Sequence, residues 1–209
     1  MSAAAGADWQ RLREWALEVA ALDLDTHHLD RLRAYLDTLL LWNRRLALVS
    51  QREPAEILAK HFADSLFAAA QCRDDAAVVD LGSGAGFPGL VIAIVHPGAR
   101  VTLIESRGKK ASFLETAARA VAARNVTVCN ARIEDVGATV DHQGRYSVAM
   151  ARALTTTAEL LRMAAPFLAP GGRALAMRSV GEDRAVEPPP ARELAYTLPD
   201  GTPRRLLVY

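Results

Sequence analysis

The run Val78-Val79-Asp80-Leu81-Gly82-Ser83-Gly84-Ala85-Gly86-Phe87-Pro88-Gly89 carries the most chemical information in the chain. β-Branched residues and an Asp close a short apolar stretch, as in a buried parallel strand. Glycine then stands at positions 82, 84 and 86, where a turn can bring backbone close to a ligand. Pro88 and the apolar residues Leu90 to Val95 read as the opening of a helix. Strand, glycine turn and helix form the nucleotide-binding corner of a doubly wound sheet. A dinucleotide fingerprint starting at Gly82 needs its third glycine at position 87, which is Phe87. The third glycine comes one residue early, which suits an adenosine with an amino-acid tail better than a pyrophosphate. Glu105 ends the next apolar run, 23 residues after Gly82. A carboxylate there can accept hydrogen bonds from both ribose hydroxyls.

This Asp-x-Gly-x-Gly-x-Gly pattern is similar to the first motif of S-adenosylmethionine (SAM) methyltransferases, which implies cofactor contacts at Asp80, Gly82, Gly84, Gly86 and Glu105. Ligands of open α/β sheets sit outside the carboxyl ends of the strands, so three further strand ends matter. Ala131-Arg132-Ile133-Glu134-Asp135 offers amides and a carboxylate for an adenine, or is an ordinary polar loop. Arg152 would enter the crevice near the methyl donor as a permanently charged fork, or serve a structural ion pair. Arg178-Ser179 follows the fifth strand. The site after the fourth strand reads Ala-Arg-Ala-Leu-Thr, not the Asn-Pro-Pro-Tyr-like motif that usually serves exocyclic amines. Pyrimidine carbon methylation needs a Cys nucleophile, and Cys129 reads as a small hydrophobe inside a strand. A guanine N7 needs neither device, because its lone pair is free and carries no proton. Positioning alone can lower such a barrier by roughly 7–11 kcal/mol.

The elements that must hold these residues follow from hydrophobic period. Helices are expected over 8–22, 27–42 and from Pro54 to about 70, with a boundary at Cys72–Ala76. Strands are expected at 77–81, 101–105, 126–129, 146–150 and 174–178, alternating with helices at 88–95, 107–123 and 155–168. Leu194–Leu198 and Arg205–Tyr209 flank Pro199-Asp200-Gly201-Thr202-Pro203, a hairpin signal. Charge is uneven. Residues 1–75 carry a net −3, residues 100–132 a net +5 and residues 145–178 a net +4. A basic body fits a polyanionic substrate, and solvated helix faces account for such a pattern too. Cys72 and Cys129 make no metal spacing and point to a reducing compartment. Charges at Asp8, Arg11, Arg13 and Glu14 speak against a signal-peptide core, and Phe87–Val95 is too short to span a membrane.

With its Gly-Phe-Pro-Gly ending, the run Asp80 to Leu90 resembles the first motif of the RsmG (GidB) family of small-subunit rRNA guanine-N7 methyltransferases. Leu41-Trp42-Asn43, Leu48-Val49-Ser50 with Arg52, His61-Phe62-Ala63-Asp64-Ser65, Arg107 to Leu114, Ala131 to Glu134 and Ala151-Arg152-Ala153 extend the likeness from about residue 35 onward. The resemblance implies an α/β, Rossmann-like class I methyltransferase fold. Its parallel sheet ends in an antiparallel hairpin, after an N-terminal helical subdomain (residues 1–75, the methyltransferase domain being 76–209). It implies SAM contacts at Gly82, Phe87, Ile133, Glu134 and Arg152, with Arg152 catalytic and S-adenosylhomocysteine as product. The expected substrate is 16S rRNA or the small subunit, at position 527 in the 530 loop, in the cytoplasm. No metal and no membrane are expected, and the working expectation is a monomer. Arg44, Arg52, His61, Arg107, Lys109 and Arg178 are the candidate RNA contacts. His61 and Asp64, three apart, read as an interdomain hydrogen-bonded pair or as RNA contacts. Ala47, Ala151 and Arg178-Ser179 depart from the family pattern. A methyltransferase of small molecules or proteins, or a SAM-binding module without chemistry, are the rivals, because fold does not fix substrate.

Overall fold

The computed structural model describes residues 3–152, 156–181 and 188–209. Helices α1 (Ala3–Ala20) and α2 (Thr26–Asn43) come first. Asp25 starts α2 with a capping box, its carboxylate accepting from the His28 amide. Pro54 opens α3 (Pro54–Ile57), which runs through a wide π turn, Leu58–Phe62, into α4 (Ala63–Ala69). The α/β part then alternates β1 (Ala77–Leu81), α5 (Gly89–Val95), β2 (Arg100–Ile104), α6 (Gly108–Ala120), β3 (Val126–Cys129), α7 (Ile133–Gly137), β4 (Tyr146–Arg152), α8 (Thr157–Ala164) and β5 (Leu168–Ser179). The chain closes with β6 (Arg192–Thr197) and β7 (Pro203–Val208).

The seven strands lie in the order β3-β2-β1-β4-β5-β7-β6. The first five are parallel, and β7 runs antiparallel between β5 and β6. This is the expected sheet with its terminal hairpin. Several boundaries differ from expectation: α1 starts at Ala3, not at 8, and α8 ends at Ala164, not at 168. β5 begins at Leu168, six residues early, because it continues through Gly171 and Gly172 with a register shift against β4. The polar loop after β3 contains a short helix, α7. The start of the helix expected over 155–168 falls partly on residues 153–155, outside the described residues.

Strand alternation sends side chains to two separate cores. Val78, Leu103, Val148, Met150, Leu175, Met177 and Leu206 face α1 to α6. Val79, Leu81, Ile104, Ala149, Ala151, Ala174, Ala176 and Leu207 face α7 and α8. The helices of residues 1–75 thus share one hydrophobic cluster with a face of the sheet. The same alternation fixes the polar residues. Asp80, Arg152 and Arg204 take the side of α1 to α6, whereas Arg178 takes the side of α8.

Candidate active site

A cavity of about 570 Å3 opens at the carboxyl ends of β1, β2, β3 and β4, a volume typical of small-molecule sites. Its floor is Gly82, Ser83, Gly84, Ala85 and Phe87, and Glu105 lines its side. Gly84 has φ +54 and Gly86 has φ +89, both left-handed. The two glycines differ in what they face. A Cβ on Gly84 would meet nothing closer than 3.8 Å, so this residue borders open cavity. A Cβ on Gly86 would lie 2.6 Å from Leu90 Cδ1 and 2.8 Å from Tyr35 Oη, so this glycine seats the loop against α2. Glu105 ties the loop down. Its carboxylate accepts from the Gly84 amide at 2.9 Å and the Arg107 amide at 2.8 Å. A carboxylate has about four acceptor sites, so two more hydrogen bonds can be taken from the cavity.

Asp80 lies under the loop and does not line the cavity. It accepts from the Gly89 amide at 3.0 Å, and a Cβ on Gly89 would lie 2.7 Å from Asp80 Oδ2. Gly89 is therefore the residue that lets helix α5 approach β1, the part played by the third glycine in dinucleotide folds. Burial pushes the Asp80 carboxyl up to about 7, against the Gly89 hydrogen bond.

The far wall is Arg152, His61, Leu48 and Val49. Asn43 shapes that wall. Its side-chain oxygen accepts from the Leu48 and Val49 amides at 2.8 and 3.1 Å. Arg152 is held on three sides. Its Nη2 donates to His61 Nδ1 at 2.6 Å, its Nε pairs with Asp64 Oδ2 at 3.3 Å, and its guanidinium lies 5.9 Å from the Phe87 ring centre. Nη1 has no partner among the described residues. Since Nδ1 accepts, the His61 proton sits on Nε2 and is donated to Gln51 Oε1 at 2.7 Å. Burial, reinforced by Arg152, lowers His61 to about 3, so the ring is neutral. Its face stacks on Phe87 with centres 5.2 Å apart.

Asp64 is fully buried and ties α4 to β4 and to the β6–β7 hairpin. It takes a fork from Arg204, Nε at 3.1 Å and Nη2 at 3.0 Å, and the Tyr196 hydroxyl at 2.5 Å. Burial, then the Asp64 charge, raises the Tyr196 phenol well above its usual value, which keeps it a donor. Arg204 also donates to Ser179 Oγ at 2.6 Å. Two guanidiniums share one carboxylate beside a neutral His, leaving one net positive charge at the cavity wall.

The structure brings Gly82, Gly84, Phe87, Glu105, Ile133, Glu134, Arg152, His61 and Arg107 together around this cavity. Asp80 and Gly86 support the loop from behind. His61 and Asp64 do not bond each other; each bridges separately to Arg152, and both His61 nitrogens are engaged. Arg178 departs most from expectation. It is 4% exposed and its Nε donates to Thr157 at 3.1 Å on the α8 face, so it presents no surface to an RNA. Arg52 is exposed in the loop before α3, and Arg44 and Lys109 line a second cavity. Lys110, Arg132, Leu48 and Val49 also line the first cavity, although residue type alone does not mark them as site residues. Cys129 is half-buried, and burial pushes its thiol up, against a nucleophilic role. Among the described residues no His/Cys/Asp/Glu cluster could hold a metal, and no helix is long and apolar enough to cross a membrane.

Known proteins match this architecture. The chain is 41% identical over 166 residues to the ribosomal RNA small subunit methyltransferase G of Roseiflexus castenholzii, covering 79% of this chain and 71% of that protein. The protein of the same name from Roseiflexus sp. RS-1 is 37% identical over 209 residues, covering 94% and 86%. Among solved structures, a SAM-dependent methyltransferase from Aquifex aeolicus superposes with a TM-score of 0.54 at 13% identity, over 75% of this chain and 93% of that one, a likeness of fold. The sequence profile of the GidB family, rRNA small subunit methyltransferase G, matches residues 28–192, and the chain belongs to that family.

Proposed function

We propose that the protein methylates N7 of a guanine in 16S rRNA, using SAM and releasing S-adenosylhomocysteine. The observation that carries this reading is the cavity itself. A glycine loop open at Gly84, a carboxylate with acceptor sites to spare at Glu105, and a buried cationic wall at Arg152 fit an adenosine bearing a zwitterionic tail. Glu105 would take the ribose hydroxyls, Ile133 and Glu134 the adenine, and Arg152 the reacting end. When bound, SAM supplies a methyl group on a sulfonium. The chain has to orient and to exclude water. Arg152 is fixed at the cavity wall by Asp64 and His61. The neutral His61 adds no second charge beside an electrophilic cation. No general base is required, since the attacked nitrogen carries no proton.

An RNA substrate is supported by the cations at this mouth. Arg107, Lys110 and Arg132 line it, and clustered cations favour a phosphate backbone. A closed apolar pocket would favour a small molecule, and an obstructed loop a module without chemistry; this mouth has neither character. Such an enzyme would act in the cytoplasm, on the small subunit or its rRNA. Unmethylated small subunits incubated with labelled SAM should yield 7-methylguanosine in the rRNA on nucleoside analysis. Label in a ribosomal protein, in a small molecule or in N6-methyladenosine would overturn the reading.

A further inference from the structure

A second cavity, of about 700 Å3, lies between the end of α2 and the first turns of α6. Leu41, Trp42 and Leu46 give it apolar walls, and Arg44, Arg45 and Lys109 give it three cations. No carboxylate lines it among the described residues. Leu41 is 63% exposed and adds an accessible apolar surface to this wall. The Trp42 ring packs edge-on against Phe113 at 5.8 Å, so its orientation is set before anything binds. Lys109 belongs to this cavity, while its neighbours Arg107 and Lys110 line the cofactor cavity. One turn of α6 thus separates the two.

We propose that this second cavity binds a nucleotide flanking the target guanine. Its base would lie against Leu41, Trp42 and Leu46, and its phosphates against Arg44, Arg45 and Lys109. Apolar walls within a ring of cations suit an unpaired nucleotide, which has a flat apolar face and an anionic link on each side. The inference rests on the RNA reading above and deepens it. It separates two kinds of contact that ordinary basic patches do not separate.

The test is binding of purified unmethylated small subunits across a salt series, with methyl transfer to the same particles. Trp42→Leu should weaken binding about tenfold, and Leu41→Ser, at an exposed position, by a smaller factor, with the salt dependence of each unchanged. Arg44→Ala with Arg45→Ala should flatten the dependence of log K on log salt by about 0.7 for each phosphate no longer neutralised. SAM affinity, measured separately by calorimetry, should stay at the wild-type value in all of these. Weaker binding on removing the arginines with no change at Leu41 or Trp42 would reduce the cavity to an electrostatic patch and overturn the nucleotide site. Unchanged binding in every variant would remove the cavity from the RNA path while leaving the methyltransferase reading intact. Absence of 7-methylguanosine with the wild-type protein would instead sink the reading on which this one rests.

Discussion

Asp64→Asn is the sharpest perturbation of this structure, because it changes one charge and almost no volume. The carboxylate is buried and receives three guanidinium contacts, at 3.0, 3.1 and 3.3 Å, plus the Tyr196 hydroxyl. An amide leaves Arg152 and Arg204 facing each other without an anion and turns an acceptor into a donor. Breaking a buried pair by removing one partner costs about 3–5 kcal/mol. At about 2–4 °C per kcal/mol for a chain of this size, the melting temperature should fall by roughly 6–20 °C. Arg204→Met alone should cost less, since Asp64 keeps Arg152 and Tyr196; loss of charge-assisted hydrogen bonds is worth about 1.5–3 kcal/mol. The sign of the second step is decisive. In the Asp64→Asn background Arg204→Met removes a stranded cation, so it should be neutral or stabilising. The assay is urea unfolding of the four proteins of this cycle, with methyl transfer measured below each transition. Additive losses, or an Asp64→Asn cost under about 0.5 kcal/mol, would refute a carboxylate that balances two arginines.

Three other outcomes are expected. Gly84→Val should abolish SAM and S-adenosylhomocysteine binding in calorimetry, because a branched side chain would enter open cavity from a left-handed residue; wild-type affinity would remove the loop from the site. Arg152→Ala should lower turnover on small subunits far more than it lowers stability, and unchanged turnover would remove Arg152 from the chemistry. Asp80 sets a pH dependence: its carboxyl is raised to about 7 in the fold against about 3.9 unfolded, so its contribution is full below pH ~4 and is lost as pH rises toward 7. Asp80→Asn should abolish that component. His61 acts in the opposite direction, since its lowered value makes stability fall with acid below about 6.5; the difference between wild type and Asp80→Asn isolates the carboxylate. An identical stability–pH profile in the two proteins would count against a buried, protonated Asp80.

The glycine loop is legible in the sequence because its signature is local. Gly82, Gly84, Phe87 and Glu105 lie within two strand-to-helix connections, and residue type and spacing suffice to place them. Arg152 is legible as a strand end. Its partner Asp64 is not, because it lies in α4, far in sequence from β4 and from the β6–β7 hairpin on which Tyr196 and Arg204 stand opposite each other. Alternation could have separated Arg178 from Arg152. Counting outward from Ala151, which faces α8, puts Arg152 on the opposite face, while Arg178 follows Met177 onto the α8 side. The motif alone assigns Gly86 to the ligand; that a side chain there would also collide with Tyr35 and Leu90 is visible only in the fold. The π turn at Leu58–Phe62 has no signal in residue type, yet it sets the aim of His61.

The position of β7 between β5 and β6 has a consequence for biosynthesis. Every residue of the glycine loop, with Asp64 and Arg152, leaves the ribosome well before Arg204 does. Until β7 is inserted, β5 keeps an open edge and Asp64 lacks its second cation. A chain interrupted between Ser179 and Arg192 therefore retains the complete glycine motif and Arg152, yet leaves the buried Asp64 carboxylate without Tyr196 and Arg204. Judged by motif, such a truncated product would pass as intact; judged by packing, it would carry an open strand edge and a buried carboxylate short of its partners.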